Sequence, residues 1–237
     1  MIFEKPRTVA EVTGPGDVEA AVASFDLGGP RPVLVAVGGA GLLDETTQER
    51  LAPVFAEIIV PAVLRHDAAA VDGGTDSGVM RLLGQARAGG PGFPLIGVAA
   101  RGTVRFPGHE PATGEAVDLD PNHSHIVLTP GAEWGAESPY LPLVAIALAA
   151  GRPVVTVLTN GGEIALDDAA HSLRLGIPLL VLAGTGRTAD QIATAATGPA
   201  PSGDERLALL ARSELVRVVP VDDRTALAGR LDESLTR

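Results

Sequence analysis

Six short apolar runs, each delivered into a turn that carries glycine, punctuate this chain. Residues 33–37 precede Gly38-Gly39, residues 68–71 precede Asp72-Gly73-Gly74, and residues 95–98 precede Ala99-Ala100-Arg101-Gly102. Residues 126–128 precede Thr129-Pro130-Gly131, residues 154–158 precede Thr159-Asn160-Gly161-Gly162, and residues 179–182 precede Ala183-Gly184-Thr185-Gly186. The runs are continuous rather than alternating, the pattern of strands buried on both faces of a parallel sheet. Helical patterns fill the intervals. Thr46 or Thr47 is expected to cap a helix reaching about His66, with Leu51, Phe55, Ile58, Ile59 and Leu64 as its apolar stripe and Pro61 as a kink. Residues 76–88, 138–150, 163–175, 188–196, 204–212 and 223–235 also read as helices. Strand–helix alternation predicts an α/β fold, a three-layer sandwich around a mostly parallel sheet. All 237 residues are read as one domain, with 197–237 a helical extension that contributes an edge strand at 216–219.

Two segments depart from the alternation. Residues 102–123 lack periodicity and carry several acids, which predicts a lid or a disordered insertion. Residues 197–203 read as a linker-like loop.

Composition narrows the function. Eighteen basic against 29 acidic residues give a net charge of −11, which argues against nucleic acid or an anionic membrane surface as partner. No cysteine is present, so disulfides, thiolate metal sites and cysteine nucleophiles are excluded. Only 3% of residues are aromatic, so the core has to be built from Ala, Val, Leu and Ile. The most apolar stretch, 140–158, is interrupted by Pro142, Gly151, Arg152 and Pro153, and residues 1–6 do not resemble a secretory signal. The expectation is a soluble cytoplasmic protein.

In an open α/β sheet ligands bind at the carboxyl ends of the strands, where this chain places its glycines. Gly73, Gly74, Thr75, Ser77 and Gly78 form the strongest candidate for an anion, with backbone N–H groups, two hydroxyls and a following helix; Asp76 is expected to cap that helix. Gly184, Thr185, Gly186 and Arg187 repeat the design with a guanidinium. Gly38, Gly39, Asn160, Gly161 and Gly162 complete the rim, and Arg101 closes the third run. Any one loop alone reads as an ordinary strand-to-helix turn; four on one sheet edge favour a small phosphate-bearing ligand. The P-loop lysine motif and the GxGxxG fingerprint are both absent.

The ordered set 33–39, 72–80, 97–102, 122–128, Trp134-Gly135-Ala136-Glu137, Asn160-Gly161-Gly162 and 184–190 resembles the LSDAT branch of the SLOG superfamily, the cytosolic N-terminal region of melastatin-type TRP channels and its prokaryotic relatives. The resemblance spans about residues 9–196. It implies a Rossmann-like fold and binding of a nucleotide-derived ligand such as ADP-ribose, NAD or a nucleoside phosphate, without an obligatory cofactor. It also implies phosphates near Gly73, Gly74, Thr75, Ser77 and Gly78, closure by 184–187, and a base stacked on Trp134. Seven residues beyond Trp134, where ADP-ribose-binding channels carry an arginine, stands Leu141. A homo-oligomer is expected by the same analogy.

The LOG nucleotide phosphoribohydrolases, another branch, use a PGGxGTxxE motif. The corresponding stretch here keeps Gly161-Gly162 but has Ile164, Ala165 and Asp168 in place of glycine, threonine and glutamate, and 140–150 lacks the catalytic arginine. A nucleotide N-glycosidase is therefore the second reading, with Asp168 and Glu163 as catalytic candidates and Glu137 and Asp167 as further carboxylates. Glu163 and Asp167 also read as first-turn acids of a helix. His123 and His125, two apart on one expected strand, could ligate metal with Asp120 or His171, but a structural pair or a ligand contact is preferred and no metal is assigned.

Overall fold

The computed structural model describes residues 8–41, 43–109, 111, 116–198 and 205–236. In chain order the elements are β1 (Thr8–Glu11), α1 (Val18–Ala23), β2 (Val33–Gly38), α2 (Glu45–Val54), α3 (Val60–Arg65), β3 (Ala69–Asp72), α4 (Gly78–Ala88) and β4 (Leu95–Ala100). They continue as β5 (Val104–Arg105), β6 (Val117–Asp118), β7 (His125–Thr129), α5 (Tyr140–Ala149), β8 (Val154–Thr159), α6 (Glu163–Arg174) and β9 (Leu179–Ala183). Last come α7 (Arg187–Thr197), α8 (Glu205–Ala211), β10 (Val216–Pro220) and α9 (Arg224–Thr236).

Eight strands form one sheet in the order β1-β7-β4-β3-β2-β8-β9-β10, every neighbouring pair parallel. Strands β2, β3, β8, β9 and β10 alternate their apolar residues between two cores. Val33, Val35 and Val37 face α1, α5, α6, α7 and α8; Leu34 and Ala36 face α2, α3, α4 and α9. Helices thus cover both faces, and the three-layer α/β sandwich read from the apolar runs is the observed architecture. From β2 the chain steps outward through β3, β4 and β7, then returns across the sheet to place β8 on the other side of β2. That reversal opens a crevice between the carboxyl ends of β2 and β8.

Several local expectations are corrected. The cap of α2 is Asp44, not Thr46 or Thr47: its carboxylate accepts the Thr47 N–H and the Thr47 hydroxyl, each at 2.8 Å. Around Pro61 the helix widens rather than simply kinking. Residues Phe55–Ile59 adopt a π-helical turn in which the Val60 N–H reaches the Phe55 carbonyl, just before the residue that has no N–H to give. Asp76 does not cap α4; it pairs with Arg81 at 2.8 Å, and Ser77 holds the cap position. The first strand and α1 were not legible, since β1 is a short, largely exposed edge.

The described part of 102–123 is a folded strap, not a free insertion. β5 and β6 pair with each other, Asp76 N–H donates to the Asp118 carbonyl at 2.8 Å, and Asp120 N–H donates to the Gly74 carbonyl at 3.0 Å. Residues 110 and 112–115 lie outside the described residues, as do 199–204, which include most of the linker-like loop and the expected start of α8.

Glycine is required where the loops touch. Gly78 has φ +48°, and a β-carbon there would stand 1.9 Å from the Gly39 carbonyl oxygen, which accepts the Val79 N–H at 2.9 Å. Gly78→Ala is expected to destabilise the protein by about 3 kcal/mol in urea unfolding. Gly90→Ala, where a β-carbon meets nothing within 4 Å, serves as the control and should change little.

Candidate functional site

A cavity of about 390 Å³ opens above the β2–β8 crevice. The end of β2 and its loop supply Ala36 to Gly41, the β3 loop supplies Gly73 and Thr75, and Met80 comes from α4. Trp134, Glu137 and Leu141 enter from the segment leading into α5, Gly162 to Ala165 and Asp168 from the start of α6, and Arg187 from the start of α7. Of the residues picked from sequence, Gly38, Gly39, Gly73, Thr75, Trp134, Gly162, Glu163, Asp168 and Arg187 are brought together here.

The remaining candidates stand behind the wall, and hydrogen-bond accounting shows what they do. Gly74 N–H donates to Asp72 Oδ1 at 2.7 Å, and Gly161 N–H to Asn160 Oδ1 at 2.8 Å. Gly184 and Gly186 donate their N–H groups to the Asp190 carboxylate at 2.6 and 3.0 Å. Asn160 donates its backbone N–H to Thr185 Oγ1 at 2.8 Å and its side-chain amide to the Thr185 carbonyl at 2.6 Å. Ser77 and Thr75 share a hydroxyl contact at 3.0 Å, and Gly78 is the close-packing glycine described above. Most of these amides are claimed within their own loop, Asn160 ties the β8 loop to Thr185 of the β9 loop, and none of them is open to a guest. Arg101 is not brought to the cavity at all: it pairs with Glu11 of β1 at 2.9 Å.

What remains positive is local. The α6 N-terminus begins at Gly162 with no side-chain cap, so its first N–H groups are not satisfied by a cap. A β-carbon on Gly162 would be 2.8 Å from Arg187 Nη2, so the guanidinium lies against that same turn. Arg187 holds a left-handed φ of +51° and has no ion pair among the described residues.

The other end of the cavity is acidic. Asp168 is only 8% exposed. Burial, reinforced by the charges of Glu137 and Asp167, pushes its carboxyl up to about 7, although the nearby Ser138 hydroxyl opposes the shift. Asp168 Oδ1 and Ser138 Oγ are both sealed from solvent, and neither has a hydrogen bond of good geometry among the described residues. Burial also raises Glu137, whose carboxylate accepts the Gly135 N–H at 3.1 and 3.3 Å. Glu163 differs: its side chain is exposed and, with Asp167, is bridged by Arg206 of α8 at 2.7 Å each. Sequence reasoning missed Met80, Ile164 and the Asp190 clamp, although an acid in the first turn of α7 is a recognisable capping signal.

Beneath the β3 loop lies a buried ionic triad. His123 Nε2 meets Asp72 Oδ1 at 2.7 Å and Nδ1 meets Asp120 Oδ1 at 3.0 Å. Burial alone would lower the imidazole, but the two facing carboxylates overcome it and raise His123 to about 9. The expected His123–His125 face does not form, because β7 begins at His125, whose ring contacts Ser124 and Phe25. No group of three or more His, Asp or Glu side chains among the described residues is placed to hold a metal ion.

Opposite pH signatures are not expected from these two sites; both favour lower pH. His123 has a raised pKa, so its stabilisation is complete below about 6.5 and is lost as pH climbs through about 9. His123→Gln should cost about 3 kcal/mol at pH 7 and flatten the alkaline decline of stability measured by denaturation between pH 7 and 10. For Asp168 the folded state holds the proton more tightly than the unfolded chain, so stability falls between about pH 4 and 7. Asp168→Asn is therefore expected to be more stable than the parent at pH 8, by up to about 4 kcal/mol, with the gain shrinking toward pH 5.

Comparison with known proteins agrees with this architecture. The family model described as "SLOG in TRPM, prokaryote" matches residues 31–228. Transient receptor potential cation channel subfamily M member 2 of Mus musculus is 28% identical over 210 residues, covering 70% of this chain and 13% of the channel. The same protein of Rattus norvegicus is 27% identical over the same span. The chain thus corresponds to a small part of these relatives, and no helix among its described residues is long and apolar enough to cross a membrane. On the extent of the family match, the chain belongs to the prokaryotic LSDAT family of SLOG domains.

Proposed function

We propose that the cavity binds a nucleotide-derived small molecule, with phosphate at Arg187 and the first turn of α6 and the base against Trp134. The observation that carries this reading is the guanidinium of Arg187, without an ion pair among the described residues, lying on the uncapped helix start at Gly162. A guanidinium and free helix N–H groups in one place suit phosphate oxygens. Trp134 is 40% exposed and lines the cavity, which leaves indole surface available for stacking. ADP-ribose, NAD and nucleoside monophosphates share these parts. In this reading the domain works in the cytoplasm as a ligand sensor without an obligatory cofactor and signals through conformation or self-association.

Thermal unfolding with ADP-ribose, NAD, AMP and cyclic nucleotides tests it. A bound compound at a hundred times its Kd should add about 2.7 kcal/mol of stability. Arg187→Ala should weaken that compound by about 10- to 100-fold without altering the unliganded melting temperature. Lack of stabilisation by every compound at millimolar concentration would overturn the reading.

A second reading, N-glycosidic hydrolysis, is favoured by one observation: a carboxyl raised to about 7, Asp168, in the wall of the cavity. Release of free base from AMP or NAD, abolished by Asp168→Ala, would decide for it.

A further inference from the structure

The strap of residues 102–123 has little apolar surface to hold it down. Val104 and Leu119 are its buried members of a small cluster completed by Ala99 of β4 and by Ile126 and Leu128 of β7. So little apolar burial does not offset the entropy lost in ordering a segment of this length. Polar contacts supply the rest. The Thr75–Leu119 bridge and the bond from the Asp76 N–H to the Asp118 carbonyl join strap and β3 loop along the main chain. Beside them four hydrogen bonds form a closed circuit. Asp72 Oδ1 accepts the Gly74 N–H at 2.7 Å, and the Gly74 carbonyl accepts the Asp120 N–H at 3.0 Å. Asp120 Oδ1 faces His123 Nδ1 at 3.0 Å, and His123 Nε2 returns to Asp72 Oδ1 at 2.7 Å. Both imidazole nitrogens thus meet carboxylate oxygens, which accept but do not donate, so the circuit closes around an imidazolium. All three side chains are at most 1% exposed, and the imidazolium compensates two buried acids. A β-carbon on Gly84 of α4 would stand 2.3 Å from Asp120 Oδ1, and one on Gly97 of β4 would stand 3.2 Å from His123 Cδ2. Gly73 and Thr75, on either side of Gly74, line the cavity.

We infer that the Asp72–His123–Asp120 triad is a latch that fastens the strap over the β3 loop, with His123 as a positioning residue for the cavity wall. The strap lifts as a unit separate from the central sheet, and His123 sets how seldom it does so. Each lifting takes from Gly74, Thr75 and Asp76 the contacts that hold this side of the wall in place. The inference concerns the chain's own motion and holds whatever the cavity binds.

The chain has no cysteine, so single introduced thiols can report opening. Val104→Cys places one in the strap cluster and Val35→Cys one in the central sheet; both valines are 0% exposed. Thr75→Cys places a third at the cavity wall, where the parent residue is 4% exposed. Labelling by a thiol reagent without denaturant, slow enough for the rate to follow the open population, is expected to be at least about 10-fold faster at 104 than at 35. Adding His123→Gln should speed labelling at 104 and at 75 by about 100-fold, because two buried carboxylates lose their cation. A merely structural role for His123 would lower global stability, speeding residue 35 without moving 104 or bringing the two to one rate. Equal labelling at 104 and 35 in the otherwise unaltered chain overturns the inference, as does a rate at 104 that His123→Gln leaves unchanged. Acceleration at 104 with none at 75 overturns the link to the cavity wall. Hydrogen exchange on the cysteine-free parent keeps the test open should His123→Gln fail to fold. The Asp76 and Asp120 amides should exchange in step with each other and faster than those of Val157 and Leu158 in β8. Exchange of all four at one global rate overturns the latch.

Discussion

Main-chain atoms of neighbouring loops meet at the carboxyl edge of the sheet with no space for a β-carbon between them, and the site depends on that approach. A β-carbon on Gly38 would fall 2.0 Å from the Thr159 carbonyl oxygen, and one on Gly74 2.9 Å from the Gly97 α-carbon. The Gly78–Gly39 contact joins the first two loops in the same way. Because β2 lies between β3 and β8, these contacts converge on the reversal point of the sheet. The crevice there is roofed by the start of α6, by Trp134 and by Arg187. Glycine in this region serves packing first; the cavity is what close packing leaves between the loops.

The polarity of the cavity follows from which groups the fold has left without partners. His123 pairs with Asp72 and Asp120 under the β3 loop, Asp190 takes the amides of the β9 loop, and Arg206 holds Glu163 and Asp167 on the outer face of α6. In the cavity wall, Arg187 has no ion pair among the described residues, and Asp168 and Glu137 are acids buried further along. A protein of net charge −11 therefore presents a cation next to a helix start and secluded acids further along.

The layered α/β architecture was legible because buried parallel strands have a simple signature: both faces apolar, so residues 33–37, 154–158 and 179–182 read without ambiguity. β1 and α1 escaped because an exposed edge strand carries no such signature and Thr8–Glu11 alternates weakly. Glycine spacing located the right loops but could not tell an amide facing a guest from one claimed by Asp72, Asn160 or Asp190. That distinction depends on contacts across the chain, such as Asn160 with Thr185, which spacing does not encode. The same limit hid the strap, whose pairing of Thr75 with Leu119 joins residues 44 positions apart.

The Asp190 clamp has its own consequence. A carboxylate that already sits on the amides of Gly184 and Gly186 acts as a resident anion of the folded chain. The turn after β9 is rigid before any guest arrives, so Arg187 is delivered to Gly162 from a braced hinge rather than from a floppy arm. In a scaffold arranged this way, diversity among related domains would be written in the few side chains that face the hollow, while the turns that frame them stay mechanically the same.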